Sequence, residues 1–432
     1  MDTIWSTGIE MPEFPALEGD VSTDVLIIGG GMAGILCALE LKERGIDCLL
    51  VEGKKIGSGA TKGTTAVITA QHDALYSSLA ENFGQAKAKA YLQANLEAVA
   101  RFKELATRIS CDFETRPSYI FSKIDRTKME EEAATVRRLG FPAEFVRDIP
   151  LPFAIAGAVK FPKQAQFHPF KFIAQLAPTL NIRENTFVTA IKNGCAYTNR
   201  GKITAKHTIV ATHFPFINSR GLFFMKLYQQ RSYVIALEGA PEIGGSYVDN
   251  AENGLYFRNY GDLLLIGGGD HRTGKRGGGF EPLREFAERY YPSASEKFAW
   301  AAQDCMSLDA LSYIGSYFRG ADDLFVLTGF NEWGMSSAMV GASILADRLA
   351  GVQNAYSALF KPQRSMLHSQ LLSNIGTDLG SFLFPTAKRC SHMGCALKWN
   401  GEEQSWDCKC HGSRFDRNGR LIDNPAMKDG CV

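Results

Sequence analysis

Residues 23–53, "TDVLIIGGGMAGILCALELKERGIDCLLVEG", constrain the fold of this chain more than any other stretch. An apolar β-type run, VLII, enters Gly29-x-Gly31-x-x-Gly34, and a helix-period segment follows. Gly29 would permit the tight turn, Gly31 would let the backbone approach a pyrophosphate, and Gly34 would let the helix pack on the strand. The phosphates would then rest on the positive end of that helix. A second strand, CLLVE, closes on Glu52, at about the 20-residue separation expected of a carboxylate that binds ribose hydroxyls. The pattern predicts a Rossmann-like α/β unit holding either NAD or FAD. The run Val25–Leu39 is too short and too glycine-rich for a membrane span, so no transmembrane segment is expected.

Composition narrows the remaining classes. Lys and Arg number 47 against 46 Asp and Glu, a formal net charge of +1, so no polyanion-binding field is implied and nucleic acid is not an expected partner. At 432 residues the chain should form two or three folding units. The start, MDTIWSTGIEMPEFPALEGD, lacks the basic and apolar regions of a secretory signal, which points to the cytoplasm. In a reducing compartment ten cysteines do not read as a disulfide scaffold, and clustered ones read as metal-binding or redox-active. Cys37, Cys48, Cys111 and Cys195 read as small core residues.

The clustered ones fall near the end, in "CSHMGCALKWNGEEQSWDCKCHGS", residues 390–413. Cys390-x-His392 and Cys408-x-x-His411 supply two thiolates and two imidazoles, the set that holds a Rieske [2Fe-2S] cluster with both histidines on one iron. The same set is also a zinc set. The boxes resemble the C-x-H-x-G-C and C-x-C-H-G-S boxes of Rieske proteins. That resemblance implies a disulfide between Cys395 and Cys410. It also implies a sulfur-directed hydroxyl at Ser413 and, with Phe415 where tyrosine often stands, a lowered cluster potential. Lys409 replaces the usual proline and should loosen its loop. The stretch "SMLHSQLLSNIGTDLGSFLFPTAK" reads as helix and linker, so only a shortened cluster-binding subdomain is expected.

Two further stretches carry a family resemblance. "KKIGSGATKGTTAVITAQHD", with Thr64 and Thr65, and "DLFVLTGFNEWGMSSAMVGASILADRLAG", with Gly329 and Gly334, are similar to the FAD-contacting segments of the D-amino-acid-oxidase and glycine-oxidase superfamily. The whole chain resembles bacterial FAD-dependent oxidoreductases that carry a C-terminal Rieske segment. The resemblance implies an FAD domain built from residues 20–80, 155–215 and 305–355, and a substrate domain from 80–155 and 215–305. A helical connector over 356–385 and a small β cluster-binding subdomain over 386–432 would follow.

It further implies oxidation of an amine or amino acid by hydride transfer to flavin. A flavin takes electrons in pairs and a [2Fe-2S] cluster passes them singly, so the cluster would link FAD to an external one-electron acceptor or donor protein. His271, Arg272 and Arg258 are the candidate substrate-facing groups, because a guanidinium can clamp a carboxylate with two parallel bonds. The roles of Asp304 and Asp309 stay open. Cys305 resembles the place where monomeric sarcosine oxidases attach FAD, but reads more simply as a buried thiol. Two other readings remain: a redox sensor without turnover, and oxidation of a 2-hydroxy acid.

Overall fold

The computed structural model describes residues 3–432. Its first sheet is ordered 313–316, 324–328, 202–210, 21–28, 48–51, 182–183, with the hairpin Val188–Lys192/Cys195–Thr198 added beside Lys202–Val210. The five strands from 324–328 to 182–183 run parallel. The run Val25–Ile28 is buried throughout, as a central parallel strand covered on both faces requires. Helices Met32–Glu43 and Gly334–Leu349 share the largest apolar core with this sheet.

A second sheet of nine strands stands over the first. Its long antiparallel members are Tyr228–Glu238, Leu263–Arg272 and Ser295–Met306. The Tyr260-Gly261 turn joins Tyr256–Tyr260 to Leu263–Arg272, with Gly261 at φ +57°. One expected boundary moves. Strand Gly157–Gln166 pairs with Glu114–Ser122 and with Val67–Ile68, so it belongs to the second sheet and not to the FAD segment that was to begin at 155. The next strand of the first sheet is Ile182–Arg183, two residues long.

Helix Ser369–Leu383 leads to a third sheet of four short antiparallel strands: Leu397–Asn400, Ser405–Cys408, Arg414–Asp416 and Leu421–Asp423. Its core contains the four cysteines with Leu397, Phe415 and Ala426. So small a core cannot hold a fold alone, and the sheet is fastened to the body instead. Arg231 and Glu403, both almost fully buried, form a two-pronged pair, and Arg414 also reaches Glu403, Asp407 and Asp423. Asn424 donates to the carbonyls of Thr212 and Phe214 at 2.6 and 2.9 Å, and the Lys54 ammonium donates to Ile422 O at 2.7 Å. No helix among the described residues is long and apolar enough to cross a membrane.

Glu403→Ala leaves Arg231 buried without its carboxylate, which costs about 3–5 kcal/mol. The variant should unfold at lower urea concentration than the parent, with proteolysis reaching residues 386–432 before the body; an unchanged midpoint would show that the docking does not rest on this pair.

Candidate functional site

A cavity of about 680 Å³ runs between the first two sheets and is closed on one side by the cluster-binding segment. The glycine turn forms one end, and each glycine has a separate physical reason. Gly29 has φ +111°, and a Cβ there would stand 2.6 Å from Ala211 O. A Cβ on Gly34 would stand 1.9 Å from Gly29 O, so helix and turn touch backbone to backbone. Gly31 lies on the cavity surface and leaves space for a ligand, its nearest neighbour being Thr61 Oγ1. Thr61 in turn accepts from Met32 N at 3.0 Å and fixes the helix start. Glu52 also lines the cavity, with its carboxylate accepting from Gly30 N at 2.7 Å and Lys54 N at 2.8 Å. Burial raises its pKa.

Thr64 and Thr65 line the middle, and Gly334 and Met335, the first residues of their helix, line the far side with their unpaired amides nearby. Gly329 does not reach the cavity surface. It makes the turn before that helix, at φ +69°, packed against Leu227 and Ser307. Cys305 is also off the cavity: it is 2% exposed, contacts Thr328 Oγ1 at 3.6 Å, and burial pushes its thiol up to about 12.

The expected substrate-facing trio is largely reassigned. Arg272 turns toward the cluster loop, donating from Nε to Lys409 O (2.9 Å), from Nη2 to Cys410 O (2.9 Å) and from Nη1 to Asn374 Oδ1 (2.8 Å). It therefore holds the loop that Lys409 was expected to loosen. His271 stacks on Tyr233 with ring centroids 5.7 Å apart and does not line the cavity. Arg258 does line it, but its Nη1 donates to Thr65 O and Ala66 O and its Nε to Asn259 O, which leaves Nη2 and no two-bond clamp. Burial lowers this guanidinium to about 9.

In their place, besides Glu52, Glu403 and Asp423, the cavity is lined by the carboxylates Asp270, Asp304 and Glu332. Desolvation, and for Asp270 and Glu332 repulsion from neighbouring acids, raises all three, Asp304 to about 6 and Asp270 to about 7. Asp270 sits beside the arginine and histidine that sequence singled out, and Glu332 lies in the turn before helix Gly334–Leu349. Both are polar residues within motifs read for their glycines or bases, so no periodicity marked them.

The cluster site is built from two matching loops. Cys390 N donates to Cys395 O and Gly394 N to Cys390 O, while Cys408 N donates to Ser413 O and Gly412 N to Cys408 O, all at 2.9 Å. Gly394 and Gly412 hold φ of +77° and +79°, which is why both boxes carry glycine there. The loops bring Cys390, Cys408, His392 and His411 together. The two imidazoles face each other through Nδ1 at 3.3 Å. A metal about 2.0–2.1 Å from each of two tetrahedrally arranged nitrogens would separate them by roughly 3.4 Å. The far nitrogen of His392 meets an oxygen, as a ligating histidine's should, with Nε2 2.8 Å from Asn218 Oδ1, whereas His411 Nε2 is buried without a hydrogen-bond partner, 3.5 Å from Asp378 Oδ2.

The sulfurs of Cys395, Cys408 and Cys410 lie within 4.8 Å of one another, and hydrogen bonds from the other three thiols hold the Cys408 pKa well below its usual value. All ten cysteines are free, so the expected Cys395–Cys410 disulfide is not present; the two thiols instead hydrogen-bond within the sulfur cluster. The donor set, two facing imidazoles and a buried group of thiols, fits a [2Fe-2S] cluster. The imidazole edge is turned inward: Phe214 packs edge-on against both rings, at 6.4 Å from His392 and 6.0 Å from His411.

Residues 24–348 match the family model described as FAD dependent oxidoreductase, and residues 378–430 match the Rieske [2Fe-2S] domain. YhfW of Bacillus subtilis (strain 168), whose name places it among Rieske 2Fe-2S iron-sulfur proteins, is 31% identical, the match covering 99% of this chain and 96% of that protein. Glycine oxidase from Geobacillus kaustophilus superposes with a TM-score of 0.67 at 20% identity, covering 80% of this chain and 99% of that one. L-proline dehydrogenase from P. horikoshii does so at 0.67 and 18% identity, covering 81% and 98%. Both share the two-domain α/β fold with this chain. FAD and a [2Fe-2S] cluster are the cofactors that these matches imply.

Ser413, fully buried, accepts from Ala426 N at 2.9 Å and has its hydroxyl proton free for the Cys390 sulfur, whereas Phe415 offers no donor. Donors to cluster sulfurs raise the potential. Ser413→Ala should lower the midpoint, and Phe415→Tyr raise it, by about 40–60 mV each, the one-electron equivalent of about 1 kcal/mol. An EPR-monitored redox titration measures both, and a shift in the opposite direction would remove Ser413 from this role.

Proposed function

Because the chain belongs to the FAD dependent oxidoreductase family and ends in a Rieske [2Fe-2S] domain, we propose that it is an amine or amino acid dehydrogenase that relays electrons through the cluster to an external one-electron acceptor. FAD supplies the two-electron chemistry and the cluster the one-electron outlet. The observation that carries the relay is the direction of the ligand histidines. They point into the body of the same chain, against Phe214, whose neighbours Thr212 and His213 line the cofactor cavity. A cluster that served only an outside partner would gain nothing from burying His411 to 1% exposure.

The substrate side is read from the carboxylates. Asp270, Asp304 and Glu332 favour a protonated amine, while the cavity arginines are committed: Arg231 to Glu403, Arg414 to Glu403, Asp407 and Asp423, and Arg258 mostly to backbone carbonyls. An amine cation would be drawn to the acidic trio, which also stands ready to accept a proton from it. Glycine oxidase, the structural neighbour, bears the name of an amino acid substrate, consistent with amine oxidation on this fold.

The test is an anaerobic preparation mixed with a panel of amines and amino acids and followed by visible and EPR spectroscopy. Flavin bleaching together with a reduced-Rieske signal from one compound supports the reading; bleaching with stoichiometric peroxide in air and no cluster signal would sink it.

The trio also sets a pH dependence. These acids have raised pKa values, so their negative charge develops as pH rises through about 6 for Asp304 and about 7 for Asp270. Binding of a permanently charged quaternary amine, read from the flavin spectrum, should therefore tighten between pH 5.5 and 8. Asp304→Asn should weaken it about tenfold at pH 8 and flatten the profile. Binding that weakens as pH rises would contradict a role for these carboxylates.

A further inference from the structure

Two buried glutamines connect the cavity wall to the cluster loop. Gln303, on Ser295–Met306, lines the cavity between Ala302 and Asp304. Its Nε2 donates to Gln229 Oε1 at 2.6 Å and to Gly412 O at 3.0 Å, and its Oε1 accepts from the Thr273 hydroxyl at 3.1 Å. Gln229, on the neighbouring strand Tyr228–Glu238, donates from Nε2 to His411 O at 2.9 Å and to Asn424 O at 3.1 Å. Gln229 is 1% exposed and Gln303 7%. Every side-chain polar atom of the pair has a partner, and the carbonyl acceptors fix which way each amide points.

The two amides hold two successive carbonyls of the cluster loop, Gln229 that of the ligand His411 and Gln303 that of Gly412. A Cβ on Gly412 would stand 2.5 Å from Gln229 Cβ, so the loop backbone rests directly on this side chain. Burying two amides within strands is costly unless every group is paired, and methionine would fill the same space without that cost. What apolar residues would not supply is a continuous hydrogen-bonded route. Electrons tunnel faster along bonded and hydrogen-bonded links than across van der Waals gaps. A second approach, through Phe214, is a ring contact to both histidines with no hydrogen bond.

We propose that Gln303 and Gln229 are the electron bridge between the cofactor cavity and the cluster, an inference that rests on the relay proposed above. With both groups bound, Gln303 and Gln229 would carry the two electrons of a reduced flavin one at a time, each reducing the cluster by one and leaving to an external one-electron acceptor protein before the next crossed, while the flavin's two protons would pass to solvent.

The experiment uses the full-length holoprotein without oxygen. The flavin is reduced by a light pulse in the presence of EDTA, and growth of the reduced-cluster EPR signal is followed by rapid freezing in the parent, Gln303→Met, Gln229→Met and Phe214→Leu. Cluster midpoint and g-values are measured on the same samples. Both methionine variants should slow cluster reduction by about tenfold or more, with g-values and midpoint unchanged, and Phe214→Leu should slow it far less. Unchanged rates in both methionine variants would overturn the proposal, as would an equal or larger effect of Phe214→Leu. A rate change that tracks a shift in g-values or midpoint would make the pair a support for the loop and also overturn it. If flavin reduction in the parent never produces a cluster signal, the relay itself fails and the bridge with it, a result that the other outcomes cannot mimic.

Discussion

The buried ion network around Glu403 is the contact on which the rest of the arrangement depends. Arg231 from the second sheet and Arg414 from the cluster-binding sheet share this one carboxylate, and Arg414 is balanced by Asp407 and Asp423. Such a network gains little net free energy over an apolar contact of the same shape, but it is costly to misalign. Its product is therefore register. The small sheet can sit on the body in one orientation, and in that orientation the cluster loops meet Gln229, Gln303 and Arg272. A mobile cluster domain would be poorly served by buried charges on both sides of its interface. A fixed one needs them, because its own core is little more than four cysteines and three apolar residues.

The strand Leu263–Arg272 shows how the two sites are joined. Asp270 lines the cavity, and two residues later Arg272 grips the carbonyls on either side of the Lys409–Cys410 peptide bond and the connector helix through Asn374. A displacement of this strand cannot reach one site without reaching the other. Lys409, in the position where a proline would stiffen the loop, leaves a flexible peptide whose carbonyl is taken by a guanidinium from the other domain. Rigidity that could have come from local backbone restriction comes from the interface.

The parts legible in the sequence are those whose chemistry is local. Gly29, Gly31, Gly34 and Glu52 could be assigned because a turn, a helix start and a strand end place them within one unit, and the two cysteine boxes because each is a single small loop closed by its own backbone. What escaped needed distant chain to be brought together. His271 and Arg272 looked like substrate groups since nothing nearby reveals that Tyr233 and the cluster loop occupy them. Arg258 reached the cavity as expected, yet the Thr65 and Ala66 carbonyls that consume its hydrogen bonds lie almost two hundred residues earlier. Gln229 and Gln303 were invisible for the same reason, being polar residues inside ordinary strand patterns. The pairing of Gly157–Gln166 with Glu114–Ser122 was invisible too, because a strand's own pattern does not say which sheet it joins.

The acidic trio and the inward-facing histidines make opposite electrostatic demands on neighbouring parts of one interior. Desolvation raises the pKa of both Asp270 and Glu332, and repulsion adds to it, from Asp304 and Asp73 on Asp270 and from Asp270, Asp304 and Asp73 on Glu332. Arg231, packed between the cavity and Glu403, is the one fixed cation acting on Asp304, and it is already neutralised from the other side. The amine cation proposed above would take its place beside these acids, in a cavity whose arginines are already held by carboxylates or backbone carbonyls.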